Sequence, residues 1–314
     1  MANKIFRYSA YAIGGILVLF LGLGLAWHRS EIPLQELEPT YYTAESSYLN
    51  VLDSKLHIRK RGTGEVIFLI HGSFASLHTW DSWEKELSKS YTTISMDLPG
   101  HGLTGPNPSG KYSTDDYEKL IIGLANTLKI DTFNIVGNSM GGTVALKVSL
   151  RHPQRVKKLI LIDAAPFNKR QASEGMPFIF KLLQSKIASQ LLIRITPRFL
   201  FEINLRQVYG DPSKIKEEDI NRFYQLVRRE GNRQATVERL KNSGENIQDS
   251  IKYLQSPTLI LWGAKDKWIP VQYAYQFKDA IKTSQLRIYP NAGHIPMEEI
   301  PVETVADALD FLKE

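Results

Sequence analysis

The sequence predicts an α/β fold in which a mostly parallel sheet is covered by helices and carries a helical insertion. Three observations predict it. Short apolar runs alternate with longer stretches of helical periodicity, as parallel strands joined by crossover helices require. One such run, residues 133–136, leads into Gly137-Asn138-Ser139-Met140-Gly141-Gly142 and then into a helical pattern. The alternation stops between residues 166 and 250 and resumes afterwards, so one interrupted domain fits better than two domains in series.

The 314 residues are 43% hydrophobic and 23% charged, ordinary for a globular protein. The absence of cysteine excludes disulfides and cysteine-based zinc sites. The net charge of +6 is moderate, and no basic run suggests a nucleic-acid partner. After a short N-terminus, residues 1–9, residues 10–27 (AYAIGGILVLFLGLGLAW) are apolar throughout. Eighteen residues at 1.5 Å rise are enough to cross a hydrocarbon core of roughly 30 Å. Lys4 and Arg7 precede the stretch, while Glu31, Glu36 and Glu38 follow soon after Arg29. That bias predicts a single-pass anchor with the N-terminus cytoplasmic and the body of the protein on the outer, periplasmic or extracellular, side. Gly24-Leu25-Ala26 keeps a cleaved signal, and so a secreted product, as the alternative. Residues 28–46, with Pro33 and Pro39, read as a linker.

The α/β domain is expected over 47–165 and 251–314, with a helical cap over 166–250. Residues 48–51 and 56–58 flank Asp53-Ser54 as a hairpin. VIFLI, residues 66–70, is continuous enough to be buried on both faces. Trp80 and Trp83 follow on a helix, then a strand over 92–96. Ser113 to Asp116 caps a helix that places Tyr117, Leu120, Ile121, Leu124 and Ala125 on one face. Strands are predicted over 156–162, 258–262 and 286–289. Tyr273, Phe277, Ala280 and Ile281 mark the helix between the last two, and Val302, Val305, Ala306, Leu309 and Leu312 mark a closing helix.

Gly137-x-Ser139-x-Gly141 between a strand and a helix is a nucleophile elbow. A serine hydroxyl needs a base to take its proton and must stand clear of its own backbone. A sharp turn with glycine on both sides provides the clearance, and the helix N-terminus points the Met140 N–H at developing negative charge.

His71-Gly72, Asp97-Leu98-Pro99-Gly100-His101-Gly102, the elbow, Gly263-Ala264-Lys265-Asp266 and Gly293-His294 occur in one order. In that order and near those spacings they resemble the α/β-hydrolase fold superfamily, as a serine hydrolase with a helical cap, over residues 47–314. The resemblance implies a triad of Ser139, Asp266 and His294. His294 would take the serine proton, and Asp266 would orient the imidazole. Asp163, which ends the strand after the elbow, is a rival acid. The oxyanion hole would combine the N–H of Met140 with that of Ser73, or alternatively Phe74. His71, His101 and Asp97 read as structural. No metal constellation and no glycine-rich nucleotide loop is visible, so no cofactor is expected and water is the second substrate.

Serine at the elbow argues against the dehalogenases and epoxide hydrolases of this fold, which use aspartate there. It leaves ester hydrolysis of small apolar substrates as the first expectation. Carbon–carbon hydrolysis of ring-cleavage-type diketones is second. Gly-Asn-Ser-Met-Gly-Gly resembles those enzymes, but they usually follow the histidine with tryptophan, and here it is Ile295. A non-catalytic receptor that uses the same pocket is the third. The cap stretch holds fifteen lysines and arginines against ten aspartates and glutamates. Ile179, Leu182, Leu183, Ile187 and Leu191 are expected on one helical face, either roofing the pocket or resting on the membrane.

Overall fold

The computed structural model describes residues 30–165, 178–242 and 244–314. The expected N-terminus and anchor, 1–9 and 10–27, lie outside them. Strands β1 (Ser46–Val51), β2 (Ser54–Arg61), β3 (Val66–Ile70), β4 (Thr92–Met96), β5 (Phe133–Asn138), β6 (Val156–Ile162), β7 (Thr258–Gly263) and β8 (Ser284–Tyr289) form one sheet. Its order is β1-β2-β4-β3-β5-β6-β7-β8. β1 and β2 are antiparallel to each other, β2 is antiparallel to β4, and every later pairing is parallel.

β3 shows why the sequence forms a doubly covered sheet. Phe68 and Ile70 enter one core with Tyr117 and Leu120 of α3 (Thr114–Thr127), Val144 of α4 (Met140–Arg151) and Phe277 of α10 (Gln272–Ala280). Ile67 and Leu69 enter the other with Trp83 of α2 (Asp81–Leu87) and with Val305 and Phe311 of α12 (Pro301–Lys313). Alternate side chains therefore find hydrocarbon on both sides, which is what a continuous apolar run encodes. Ser113 caps α3 through a reciprocal capping box with Asp116.

Two expectations are corrected. The supposed linker 28–46 contains α1 (Leu34–Tyr41), which buries Leu37 and Tyr41 against Leu103 and Leu226. Pro39 sits inside this helix without ending it. The two prolines suggested a linker, but Leu34, Leu37 and Tyr41 share a helical face that finds tertiary partners. The second correction concerns the segment between β6 and β7. Among the described residues it forms α5 (Phe178–Gln184), α6 (Lys186–Arg194), α7 (Arg198–Val208), α8 (Glu217–Val227) and α9 (Asn232–Lys241). The expected single face from Ile179 to Leu191 is broken at Ser185, whose side chain accepts the Ala188 N–H and starts a new helix. Leu183 is buried, whereas Ile187 and Leu191 face outward.

Candidate active site

The site lies at the carboxyl edge of the parallel strands, beside the point where β4 and β5 diverge to either side of β3. Ser139 follows β5 in a strained backbone conformation, φ 54 and ψ −120. The glycines make that conformation reachable. A Cβ on Gly137 would stand 2.2 Å from the Gly141 carbonyl oxygen, and one on Gly141 would stand 2.3 Å from that of Ile70. Strain of this kind persists only where neighbours over-determine it. Here the Ser139 N–H donates to the Ile162 carbonyl at 3.0 Å, and its own carbonyl accepts from Ala165 at 3.0 Å.

His294 follows β8, and its Nδ1 stands 2.7 Å from Asp266 Oδ2. The other Asp266 oxygen accepts the Trp268 and Ile269 N–H groups at 2.7 and 2.9 Å. Those donors fix the carboxylate, and the carboxylate fixes the imidazole. Trp268 lies beside the imidazole, 5.5 Å between ring centroids. Ser139 and His294 line the same cavity.

Two connections escaped the sequence. Asn138 donates its amide to the carbonyls of Ile162 and His294, both at 3.1 Å, and so ties the elbow to the histidine loop. Glu299, the last residue of α11 (Pro296–Glu299), accepts N–H groups from Gly293 at 2.7 Å, Gly210 at 2.9 Å and Asp211 at 2.7 Å. The His294 N–H also donates to Val208 O at 2.7 Å. The end of α7 is thereby fastened to the histidine loop. A Cβ on Gly293 would fall 2.2 Å from Val208 O, so this approach needs glycine.

Asp163 directly follows β6 beside the candidate triad, with φ 42. One of its oxygens accepts the Gly263 N–H at 3.0 Å. Complete burial and then the Asp266 charge push its carboxyl well above the usual carboxylate range, so the neutral acid is favoured. Asp163, Asp266 and His294 present ligand atoms within 4.8 Å of one another. The imidazole Nδ1 is already committed to Asp266, and Asp163 is held against ionisation.

Met140 is the first residue of α4, so its N–H has no intrahelical partner. Ser73 and Phe74 line the cavity on the facing loop, and Phe74 adopts φ 63 there. His71 holds that loop: its Nδ1 donates to Gly72 O at 2.7 Å and its Nε2 accepts the Leu98 N–H at 3.0 Å. Burial lowers its pKa and keeps the neutral form these bonds need. Asp97 is fully buried. Burial opposes its ionisation most strongly of any single cause, but the hydrogen bond and electrostatic pull of His57, with smaller contributions from His78 and His71, together outweigh it and hold the carboxyl below its usual range. Asp97 also accepts the Leu77 and Leu103 N–H groups, both at 2.8 Å, which organises the loop carrying His101. Burial and then the neighbouring His71 press His101 well below the usual imidazole pKa.

The cavity and the solvent at its open mouth together span about 1030 Å³. The insertion supplies an apolar wall, including Leu183, Leu192, Leu200 and Phe201. Arg233 of α9 is, among the described lining residues, the one fixed positive charge. It donates to Thr196 Oγ1 at 3.1 Å and lies 3.9 Å from Glu31.

The α/β hydrolase fold family model matches residues 65–301, well over half of the chain. The chain is 27% identical over 270 residues to the 2-hydroxymuconate semialdehyde hydrolase of Pseudomonas sp. (strain CF600), covering 83% of this chain and 91% of that protein. It is 28% identical over 292 residues to the 2-hydroxy-6-oxo-6-(2'-aminophenyl)hexa-2,4-dienoic acid hydrolase of Metapseudomonas resinovorans, covering 89% and 96%. An esterase from Exiguobacterium antarcticum shares the fold at a TM-score of 0.73 and 22% identity, covering 85% of this chain and 99% of that one. With that family match, the chain belongs to the α/β-hydrolase fold family.

Proposed function

We propose that the protein is a serine hydrolase that cleaves a carbon–carbon bond beside a carbonyl in a largely apolar, acidic diketone of the ring-cleavage type. One observation carries the reading: among the described residues the cavity wall is mostly hydrocarbon and carries one fixed cation, Arg233. The dienoic acid named for one relative joins one carboxylic acid to a conjugated, phenyl-bearing body. The relatives bring this bond type ahead of the ester that the sequence puts first.

In this reading Ser139 Oγ attacks the carbonyl while His294 takes its proton, and Asp266 stabilises the imidazolium. The N–H of Met140, with that of Ser73 or Phe74, receives the oxyanion. Collapse breaks the bond to the neighbouring carbon, whose electron pair passes into the conjugated system and takes the proton from His294. Water then releases the acyl group from Ser139 by the same base. The insertion acts as a cap that excludes water and shapes the substrate. Arg233 holds the acidic end.

Ester hydrolysis is the second reading. It is favoured by Ile295, an apolar cavity residue where the carbon–carbon hydrolases usually carry tryptophan. The test is kcat/KM on a 2-hydroxy-6-oxo-dienoate beside p-nitrophenyl esters of increasing chain length. Arg233→Gln is expected to lower dienoate turnover about tenfold or more, the worth of a hydrogen bond to a charged group, and to leave esters within a few-fold. Ester turnover that dominates and ignores the Arg233 change gives the second reading the place of the first.

For the N-terminus we propose the single-pass anchor over 10–27, with the catalytic domain outside the cytoplasm. The described residues contain no helix long and apolar enough to cross a membrane. A reporter after Glu314 that is active outside, on a chain that resists carbonate extraction, is the expected result. A soluble product beginning near Trp27 would replace the anchor with a cleaved signal.

A further inference from the structure

We infer that the outward face of α6 and α7 docks on a membrane surface containing anionic lipid, so that the insertion rests on the bilayer beside the cavity it walls. The inference rests on the anchor proposed for residues 10–27, not on the bond that is cleaved.

Nine large apolar side chains are exposed among the described residues, and four of them lie on these two short helices. Ile187 is 86% exposed, Leu191 57%, Phe199 46% and Ile203 47%. Single exposed apolar residues are common, but a cluster on neighbouring helices marks a contact surface. The two helices repeat one pattern. Ile187, Leu191 and exposed Arg194 fall at i, i+4 and i+7, and so do Phe199, Ile203 and exposed Arg206. Residues at this spacing share a face, and an arginine one turn beyond two hydrocarbon side chains suits a helix lying in a headgroup layer. The inner faces are apolar as well, since Leu192, Ile193, Leu200 and Phe201 line the cavity. Helices apolar on both sides are normally buried on both.

The contacts of residues 30–32 say what covers the outer side. The Ser30 carbonyl accepts from Arg228 at 2.9 Å, Ile32 pairs with Arg229, and Glu31 accepts the Gly231 N–H at 3.2 Å. Ser30 is thereby pinned to the junction of α8 and α9, within the insertion. The apolar stretch ends at Trp27. Three residues of chain reach at most about 10 Å, so a bilayer held by that stretch lies against the insertion rather than the far end of the domain. The excess of five cations over residues 166–250 matches an anionic leaflet.

The chain has no cysteine, so a single introduced cysteine labels cleanly. The full chain carrying Leu191→Cys or Ile203→Cys is labelled with an environment-sensitive dye and placed in phosphatidylcholine–phosphatidylglycerol vesicles containing spin-labelled lipid. Tyr253→Cys is the comparator, because exposed Tyr253 precedes the amino end of β7, the edge of the sheet opposite the cavity. Several-fold stronger quenching at 191 and 203 than at 253, weakening with salt, is expected. Equal quenching at all sites in a chain that resists carbonate extraction overturns the docking face alone. Dye self-quenching that grows with protein density and ignores the lipid quencher assigns the face to a second copy instead. Loss of the chain to the carbonate wash overturns the anchor and the docking face together. Ile187→Glu with Leu191→Glu is expected to lower turnover of a vesicle-dissolved substrate about tenfold, a difference of 1.4 kcal/mol, and to spare a water-soluble ester. An unchanged ratio of the two activities counts against the inference.

Discussion

Asp266 accepts three hydrogen bonds at the carboxyl edge of the sheet, and Glu299 accepts three more beside it. Across the cavity, the walls built by α5, α6 and α7 offer the substrate mostly hydrocarbon. The two regions constrain a reaction differently. Hydrogen bonds are directional, so the sheet edge fixes atoms to within tenths of an ångström. Hydrocarbon contact is non-directional and grows with area, so the insertion selects for size and polarity. Changes at the edge are therefore expected to remove rate, and changes in the insertion to redistribute it among substrates.

The largest effect is expected at the elbow. Ser139→Ala should lower turnover by about 10⁴ or more, because members of a triad act as a unit. It should leave the melting temperature nearly unchanged and abolish labelling by a fluorophosphonate. Turnover within tenfold of the parent would remove Ser139 from the chemistry and revive the binding-receptor reading. Next comes the acid. Asp266→Asn should cost about 10⁴ by leaving the imidazole in the wrong tautomer. Asp163→Asn should cost at most a few-fold near neutral pH. The reverse order in these rate measurements would make Asp163 the acid.

The fastening between the two regions ranks below both. Glu299→Gln keeps one acceptor oxygen for three N–H donors and should cost about 1–3 kcal/mol in denaturant unfolding. Its rate loss should be smaller than that of either triad change, since no reacting atom is removed. Leu183→Ala or Leu192→Ala ranks lower still. Enlarging an apolar wall is worth a factor of about ten in preference between substrates that differ by a few methylenes. A panel of acyl chain lengths measures it, and an equal loss on every member would mean that the wall was holding the sheet edge in place.

What the sequence made legible follows the same division. Buried strands read as apolar runs, and the glycines of the elbow read as glycines because only a missing Cβ fits 2.2 Å from a carbonyl. The eight strands and the close meeting of Asp266 with His294 were therefore within reach of a reader of the sequence. Glu299 was not, because its donors lie up to 89 positions away and nothing local marks a glutamate that bonds distant N–H groups. Asn138 stands out in the sequence only for its place in the motif, whereas its bond to His294 O spans 156 positions. Ser185 gives no signal in the sequence, because a serine between two apolar turns looks the same whether a helix runs through it or restarts at it. α1 was hidden by Pro39, whose cost in a helix is outweighed by tertiary packing of Leu37 and Tyr41.

The smallest effect expected at the sheet edge is one of stability, and it separates Asp163 from the carboxylate beside it. Complete burial and the Asp266 charge raise the Asp163 carboxyl well above its unfolded value. The folded protein therefore binds this proton more tightly than the unfolded chain does. The stability it contributes is fully present below the unfolded carboxylate pKa and is lost as pH rises through the raised folded value. Asn carries the shape and a donor of the neutral acid, and its oxygen can still accept the Gly263 N–H. Asp163→Asn should accordingly change stability little in acid and raise it relative to the parent as pH increases. Unfolding midpoints in urea across a pH series measure the divergence. Parallel curves would mean that Asp163 is ionised like an ordinary carboxylate. Two negative charges would then flank His294, and the distinction between the orienting acid and its neutral neighbour would be lost.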